Sequence, residues 1–110
     1  IYGDGSFGFN GMEFDTAVRF GLPIIGIVGN DGAWGQMMRP QGALYGTYCA
    51  VDLNHTRYDQ MVEALGGYGE LVEKPEDIQP ALERAFASGK PALVNVILET
   101  DRNYKGGGYV

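Results

Sequence analysis

The sequence predicts an open α/β fold, in which helices cover both faces of a parallel sheet. Two runs, residues 24–28 and 92–98, are almost entirely apolar, as is typical of strands that are buried on both faces. Stretches with an apolar stripe at helical spacing lie between these runs. Because neighbouring parallel strands need long crossovers, this alternation favours strand–helix–strand units over an antiparallel sheet.

The first third of the chain is predicted to contain the end of a strand, a helix and a buried strand. Residues 1–2 are expected to end a strand, which suggests that the chain is an N-terminally truncated piece of a longer protein. Residues 11–20 are expected to form a helix, because Pro23 ends a segment with an apolar stripe. This stripe consists of Phe14, Ala17, Val18 and Gly21.

The middle of the chain is predicted to hold two helices. Residues 33–46 are expected to form a short helix and then a loop, because Pro40 interrupts the apolar segment. Residues 52–67 are expected to contain a second amphipathic helix, with Thr56 as its N-cap. The apolar face of this helix consists of Tyr58, Met61, Val62 and Leu65.

The last third is predicted to form a strand, a helix, a strand and a tail. Residues 68–72 are expected to form a short strand, and Pro75 is expected to open the helix that follows it. The strand over residues 92–98 comes next, and residues 101–110 form a tail that is expected to be mobile or to fold over a site. The apolar face of the helix consists of Ile78, Leu82, Ala85 and Phe86.

Composition narrows the class of protein. The 110 residues are enough for one domain with a modest core. The net charge of −6 makes nucleic acid or an anionic membrane an unfavourable partner, and no apolar run is long enough to span a bilayer. A single cysteine, Cys49, permits no internal disulfide and fits a reducing, cytoplasmic compartment. We expect this thiol to be a small buried side chain.

Two stretches carry a carboxylate beside glycine, Gly3-Asp4-Gly5-Ser6 and Asn30-Asp31-Gly32. Each follows a predicted strand, and the carboxyl ends of parallel strands form the ligand-binding edge of such sheets. Glycines allow backbone N–H groups to approach a phosphate closely, but a bare carboxylate would repel it. Mg²⁺ resolves the conflict, because it is typically held by one or two carboxylates together with the phosphates of its ligand. The pattern therefore predicts a divalent cation that anchors a diphosphate.

Two alternative interpretations remain for the first stretch. Residues 3–8 also fit the dinucleotide fingerprint G-x-G-x-x-G, with Asp31 as the acid that binds ribose. Against this, Asp4 would face the pyrophosphate with no metal, and residues 6–10 separate the glycines from a convincing helix. The other alternative is a glycine-rich loop that only links a strand to a helix.

The same residues resemble a known motif. Its positions are Gly3-Asp4-Gly5-Ser6, Glu13, Ala17-Val18-Arg19, Gly21-Leu22-Pro23 and Asn30-Asp31-Gly32. They are similar to the thiamine-diphosphate motif of the superfamily that includes acetolactate synthase, pyruvate decarboxylase, 2-hydroxyacyl-CoA lyase and oxalyl-CoA decarboxylase. That motif begins with GDG and ends with two asparagines, and the spacing matches without a gap. The resemblance implies the thiamine-diphosphate-binding fold, with residues 1–110 as the C-terminal part of the diphosphate-binding domain.

The resemblance also implies a role for individual residues. Asp4, Asp31 and the backbone carbonyl of Ala33 correspond to metal ligands. Asp31 stands where the family has its second asparagine, so a one-residue shift that makes Asn30 the ligand stays open. In the family, the segment after the metal loop lies beside the thiazolium ring and the substrate, and Met38 is a further candidate for this position. Core packing is, however, the more common role of methionine. The residues implied to contact the cofactor are Gly3, Gly5, Ser6, Asn30, Gly32, Trp34, Gln36 and Met37.

The resemblance finally implies an enzyme that makes or breaks carbon–carbon bonds of 2-oxo acids or 2-hydroxyacyl-CoA, with thiamine diphosphate and Mg²⁺ as cofactors. In the family, a glutamate on the pyrimidine-binding domain of a partner subunit activates the cofactor. We therefore expect a homo-oligomer, a dimer or a tetramer, and an isolated segment without activity. Two other functions stay open, a dinucleotide-binding domain and a non-catalytic relative that stabilises an oligomer.

Overall fold

The computed structural model describes residues 1–102, which form one four-stranded sheet. All strands pair in parallel in the order β1-β2-β4-β3, so that β2 and β4 are central. The predicted open parallel sheet is confirmed. The predicted tail lies outside the described residues from residue 103 onward. The strands are β1 (Tyr2–Gly3), β2 (Ile25–Asn30), β3 (Tyr68–Val72) and β4 (Ala92–Ile97).

Helices cover both faces of this sheet, as predicted. Residues 1–102 contain α1 (Asp4–Asn10), α2 (Glu13–Phe20), α3 (Gly35–Tyr45), α4 (Tyr58–Ala64) and α5 (Ile78–Ala87). Helices α1, α2 and α4 pack on one face around Val28 and Leu93, and α5 packs on the other face against Val94. The two faces alternate along β4 because successive side chains of a strand point in opposite directions. None of these helices combines the length and the apolar character needed to cross a lipid bilayer.

The glycine-rich loop predicted after β1 is instead helical. Helix α1 begins at Asp4, directly after β1, although glycine disfavours helices. Packing overrides this preference, because Phe7 is buried and its ring lies 5.8, 6.0 and 5.1 Å from those of Tyr2, Phe14 and Tyr58. Asp4 also complements the positive end of the helix dipole. The prediction that residues 6–10 separate these glycines from the first helix is therefore wrong.

Helix α3 runs through Pro40, where the sequence predicted an interruption. Proline removes one N–H donor from a helix, but its fixed φ is compatible with helical backbone. The turn after Pro40 is held from outside, because the Gln41 amide donates to the Cys49 carbonyl at 3.1 Å and accepts from the Cys49 N–H at 2.7 Å. Cys49 lies on the surface, so the prediction that it is buried is wrong.

Two predictions about helix residues are also wrong. Thr56 does not cap α4, which begins at Tyr58, and its hydroxyl donates instead to the Asn54 carbonyl at 3.4 Å. Phe86 is 70% exposed, because the small residues Ala81 and Ala85 bring a different side of α5 onto the sheet. The remaining members of the two predicted apolar faces pack against the core as expected: Tyr58, Met61, Val62, Leu65, Ile78, Leu82 and Ala85.

Helix α4 passes very close to the edge strand β3. A Cβ atom on Gly69 would lie 2.1 Å from the carbonyl oxygen of Asp59 and 2.8 Å from Cγ of Glu63. The backbones of α4 and β3 can therefore meet only because residue 69 is glycine. Asp59, the second residue of α4, is buried at this contact.

Candidate functional site

A cleft of about 600 Å³ opens at the carboxyl ends of β1 and β2. Ligands of open parallel α/β sheets bind at this edge. The start of α1, the segment after β2 and the start of α3 line the cleft. They bring together most of the predicted site residues: Gly3, Asp4, Gly5, Ser6, Asp31, Ala33, Trp34, Gln36 and Met37.

The structure does not bring two predicted residues, Asn30 and Gly32, into the cleft lining. Gly32 has a φ of +65° and turns the chain between Asp31 and Ala33, which do line the cleft. Met38, the further candidate, is buried in a small core cluster instead. The sequence did not single out four lining residues, because nothing distinguishes them from ordinary core or loop positions: Phe9, Gly29, Gly35 and Leu98.

Two carboxyl groups meet in the cleft. Asp4 is 1% exposed, and its Oδ2 atom is buried with no hydrogen-bond partner among the described residues. Burial raises the pKa of Asp4, and so does the neighbouring Asp31 carboxylate, which repels its charged form and accepts a hydrogen bond from its protonated form. A cation between the two groups would remove the repulsion and occupy the unpartnered oxygen, so the residues present fit a divalent metal.

The backbone carbonyls of residues 30–33 are further candidate oxygen ligands, and three of them already accept hydrogen bonds. The Leu98 N–H donates to the carbonyl of Asn30 at 2.9 Å, and the Leu53 N–H donates to that of Gly32 at 2.7 Å. The Thr100 hydroxyl donates to the carbonyl of Asp31. Within residues 1–102, no backbone N–H donates to the carbonyl of Ala33. Among the carbonyls of residues 30–33, that of Ala33 therefore accepts none of these hydrogen bonds and could ligate a metal.

No larger set of side-chain ligands surrounds these oxygens. In the part of the chain that the structure describes, no three His, Cys, Asp or Glu residues come together as a metal site. A cation here would have two carboxylates and a carbonyl from the protein and would need further oxygens from its ligand. Mg²⁺ bound to a diphosphate has this coordination pattern.

An aromatic wall stands beside the carboxylates. A Cβ atom on Gly5 would lie 2.8 Å from Cε3 of Trp34, so the indole packs directly on the first turn of α1. Phe9 meets the same indole edge-on, at a centroid distance of 5.5 Å. The N–H groups of Gly5 and Ser6 belong to the first turn of α1, where helices lack internal acceptors. The wall therefore fixes the position of donors that can face an anion.

A polar network, the buried polar network, lies next to the cleft and is centred on three buried side chains, Asn30, Asn95 and Asp59. The exposed Arg57 and the carbonyl of Thr56 complete it. Asn30 Nδ2 donates to Asn95 Oδ1 at 3.1 Å, and Asn95 Nδ2 donates to Asp59 Oδ1 at 3.0 Å. Arg57 holds the Asp59 carboxylate with two nitrogens, one of them at 2.5 Å. One residue of this network stands out in the sequence, the lone asparagine within the apolar run of β4.

The network makes the stability of the fold depend on pH through Asp59. Burial alone would raise the pKa of Asp59, but hydrogen bonds from Arg57 and Asn95 outweigh burial and lower it. A lowered pKa stabilises the folded state above the ordinary aspartate value of about 3.9, and this contribution disappears as the pH falls through the folded value. We expect Asp59→Asn to flatten the loss of thermal stability below about pH 4. Thermal midpoints of both proteins from pH 7 to pH 3 test this, and parallel curves would contradict it.

Comparison with known proteins identifies the family. The family model "Thiamine pyrophosphate enzyme, C-terminal TPP binding domain" matches residues 1–96. The acetolactate synthase large subunit IlvG of Mycobacterium tuberculosis is 51% identical over 105 residues, covering 94% of this chain and 19% of that protein. The 2-hydroxyacyl-CoA lyase 2 of Caenorhabditis elegans is 44% identical over 104 residues, covering 89% of this chain and 16% of that protein. The chain thus spans less than a fifth of each of these relatives.

A solved structure shares the fold. The thiamine diphosphate-dependent 4-hydroxybenzoylformate decarboxylase of Rhodococcus jostii RHA1 superposes with a TM-score of 0.84 and 25% identity, covering 92% of this chain and 19% of that chain. The family model includes residues 3–8 in its match, which favours the thiamine pyrophosphate interpretation of this stretch over the dinucleotide fingerprint. The chain belongs to the family of thiamine pyrophosphate enzymes that is defined by their C-terminal TPP binding domain.

Proposed function

We propose that this chain holds Mg²⁺ and, through it, the diphosphate of thiamine diphosphate. The observation that carries the proposal is the buried Asp4 carboxyl, which has an unpartnered oxygen and lies beside the carboxyl of Asp31. A buried carboxyl pair is unfavourable unless a proton or a cation neutralises part of its charge. The glycine-lined start of α1 lies next to the pair and offers N–H donors to the diphosphate that would complete the coordination of the metal.

In this proposal Asp4, Asp31 and the carbonyl of Ala33 hold the metal. The choice of Asp31 over Asn30 is supported by their surroundings, because Asp31 lines the cleft whereas the Asn30 amide donates to Asn95. Gly3, Gly5 and Ser6 contact the diphosphate. The residues beside the reactive part of the cofactor are Trp34, Gln36 and Met37.

We propose further that the whole protein is a thiamine-diphosphate-dependent lyase or transferase and that residues 1–110 are part of its diphosphate-binding domain. When bound, thiamine diphosphate supplies a thiazolium carbon that adds to a carbonyl and accepts the resulting electron pair. The names of the relatives support 2-oxo acids or 2-hydroxyacyl-CoA as substrates. The chain covers 19% and 16% of these two relatives, which leaves room for a pyrimidine-binding domain elsewhere in the whole protein. We propose in addition that the whole protein is a cytoplasmic homo-oligomer, in which this domain of a partner subunit completes the site.

Substitutions of Asp31 test the metal assignment. In the full-length protein at saturating thiamine diphosphate, we expect Asp31→Asn to bind Mg²⁺ at least as tightly as the wild type. An amide oxygen still ligates the metal, and one negative charge beside the diphosphate is removed. Asp31→Leu removes the oxygen and should weaken Mg²⁺ binding by about 100-fold or more, since even indirect partners of a metal contribute 10–100-fold. Isothermal titration calorimetry measures both dissociation constants.

Asp15→Leu is the control for this experiment, because Asp15 is an exposed carboxylate of α2 whose partner is Arg19. It should leave Mg²⁺ binding unchanged. Normal binding by Asp31→Leu together with loss of binding by Asn30→Leu would make Asn30 the ligand. Failure of the wild type to bind Mg²⁺ and thiamine diphosphate would refute the proposed function.

A further inference from the structure

The side-chain hydrogen bonds of the buried polar network all run in one direction, because Asn30 donates to Asn95 and Asn95 donates to Asp59. Asp59 determines this direction, because its ionised carboxylate is paired with Arg57 and can only accept hydrogen bonds. The Asn95 amide must therefore turn its NH₂ group toward Asp59 and its oxygen toward Asn30. Because only an NH₂ group can donate to that oxygen, the orientation of the Asn30 amide follows from the charge on Asp59.

The carbonyl of Thr56 enforces the same orientation from the other side. It accepts hydrogen bonds from Asn30 Nδ2 and from Asn95 Nδ2, each at 3.0 Å. If either amide were flipped, an oxygen would face this carbonyl and the hydrogen bond would become a repulsion. Two independent acceptors, Asp59 and Thr56, thus impose one arrangement on both amides.

Asn30 transmits this arrangement to the cleft because it directly precedes Asp31. Its backbone carbonyl is held by the Leu98 N–H, and its side chain is held by the network. We propose that Asn95 is a positioning residue of the metal site, which acts through Asn30 to hold the Asp31 carboxylate beside Asp4. The inference rests on the proposed function, because it concerns the metal ligands assigned there.

The network is not arranged for stability alone. Asn95 lies on a central strand, and Leu93, the preceding residue on the same face, belongs to the apolar core. Replacing both partners of a buried hydrogen bond by apolar groups of the same shape can be nearly neutral or stabilising. In addition, Asn30 Oδ1 is buried with no partner among the described residues, which is unfavourable in a purely structural cluster. An arrangement that leaves this atom unsatisfied but fixes the amide is the one expected of a support for a functional segment.

The test is a titration of Mg²⁺ into the full-length protein at saturating thiamine diphosphate. We expect Asn95→Leu to raise the dissociation constant for Mg²⁺ by about 10- to 100-fold, the usual effect of losing a residue that orients a metal ligand. A large excess of Mg²⁺ should restore binding, because the ligands themselves remain. Asp59→Asn is nearly isosteric and removes the charge that orients Asn95, so we expect it to raise the same constant several-fold.

Val94→Ala is the matched control, because Val94 is equally buried on β4 but faces α5. It should lower the thermal midpoint and leave the dissociation constant for Mg²⁺ unchanged. If Asn95→Leu also lowers only the midpoint and keeps the wild-type constant, Asn95 is merely structural and the proposal is wrong. If Asn95→Leu does not fold, wild-type Mg²⁺ affinity of Asp59→Asn overturns the proposal and weakened affinity supports it. A wild type that binds no Mg²⁺ refutes the proposed function and this inference with it.

Discussion

Replacing Asp4 by alanine is expected to abolish most of the affinity for Mg²⁺ and thiamine diphosphate. Asp4 supplies a buried oxygen that no protein group satisfies, and alanine offers no oxygen to take its place. The dissociation constant for Mg²⁺ should rise by about 100-fold or more, beyond the 10–100-fold effect of indirect partners of a metal. Calorimetry on the full-length protein measures this constant, and equal affinity of wild type and variant would refute the assignment of Asp4.

Asp4→Asn is expected to stabilise the folded protein when no metal is bound. The amide cannot repel Asp31, and its NH₂ group can donate to that carboxylate. The protein without metal should become more stable by roughly 1 kcal/mol, the scale of one satisfied hydrogen bond. Amide hydrogen exchange in α1 and β2, in the absence of Mg²⁺ and cofactor, should then slow by about fivefold. Faster exchange would mean that the carboxyl pair is not strained.

Gly69→Ala is expected to cause a large loss of local stability. Its Cβ atom would lie 2.1 Å from the carbonyl oxygen of Asp59, and backbone cannot turn aside as a flexible side chain can. Moving α4 would disturb Val62 in the core and Asp59 in the polar network, and moving β3 would break its pairing with β4. We expect a loss of about 3 kcal/mol, the upper part of the range for overpacked sites. Hydrogen exchange in β3 should accelerate by roughly a hundredfold.

Gly8→Ala is the control for this substitution. Gly8 also lies within a regular element, but a Cβ atom there would meet nothing within 4 Å. Alanine in a helix is favoured over glycine by up to about 1 kcal/mol, so this variant should be as stable as the wild type or more stable. Equal behaviour of the two variants would mean that α4 and β3 separate easily.

The sequence was most informative where burial alone determines the structure. The apolar runs predicted β2 and β4, and the stripes of α2 and α4 predicted the residues that pack on the sheet. It was misleading where contacts from distant segments outweigh local preference. Packing of Phe7 holds a helix across several glycines, and the bonds between Gln41 and Cys49 hold the turn after Pro40. No local pattern in the sequence contains these contacts.

The candidate site, like the fold, could be predicted from the sequence only in part. Asp4 and Asp31 could be singled out because a carboxylate beside glycine at a strand end has few structural purposes. The groups that hold these segments could not be predicted, because asparagine, threonine and leucine have no distinctive pattern at such positions. Thr100, Leu98 and Asn95 acquire their roles only when β4 is placed beside β2.

The proposed metal ligands and the groups that support them come from different parts of the chain, which limits how the site could be built into another protein. Every proposed metal ligand lies between Asp4 and Ala33, so the ligands could be moved to another parallel sheet as one continuous graft. Their hydrogen-bond supports would stay behind, because they come from residues 53–59 and 95–100. A protein engineer who copied only the ligands would obtain the chemistry of the site without its rigidity. A faithful graft needs β4 and the segment that leads into α4, which together carry no proposed ligand.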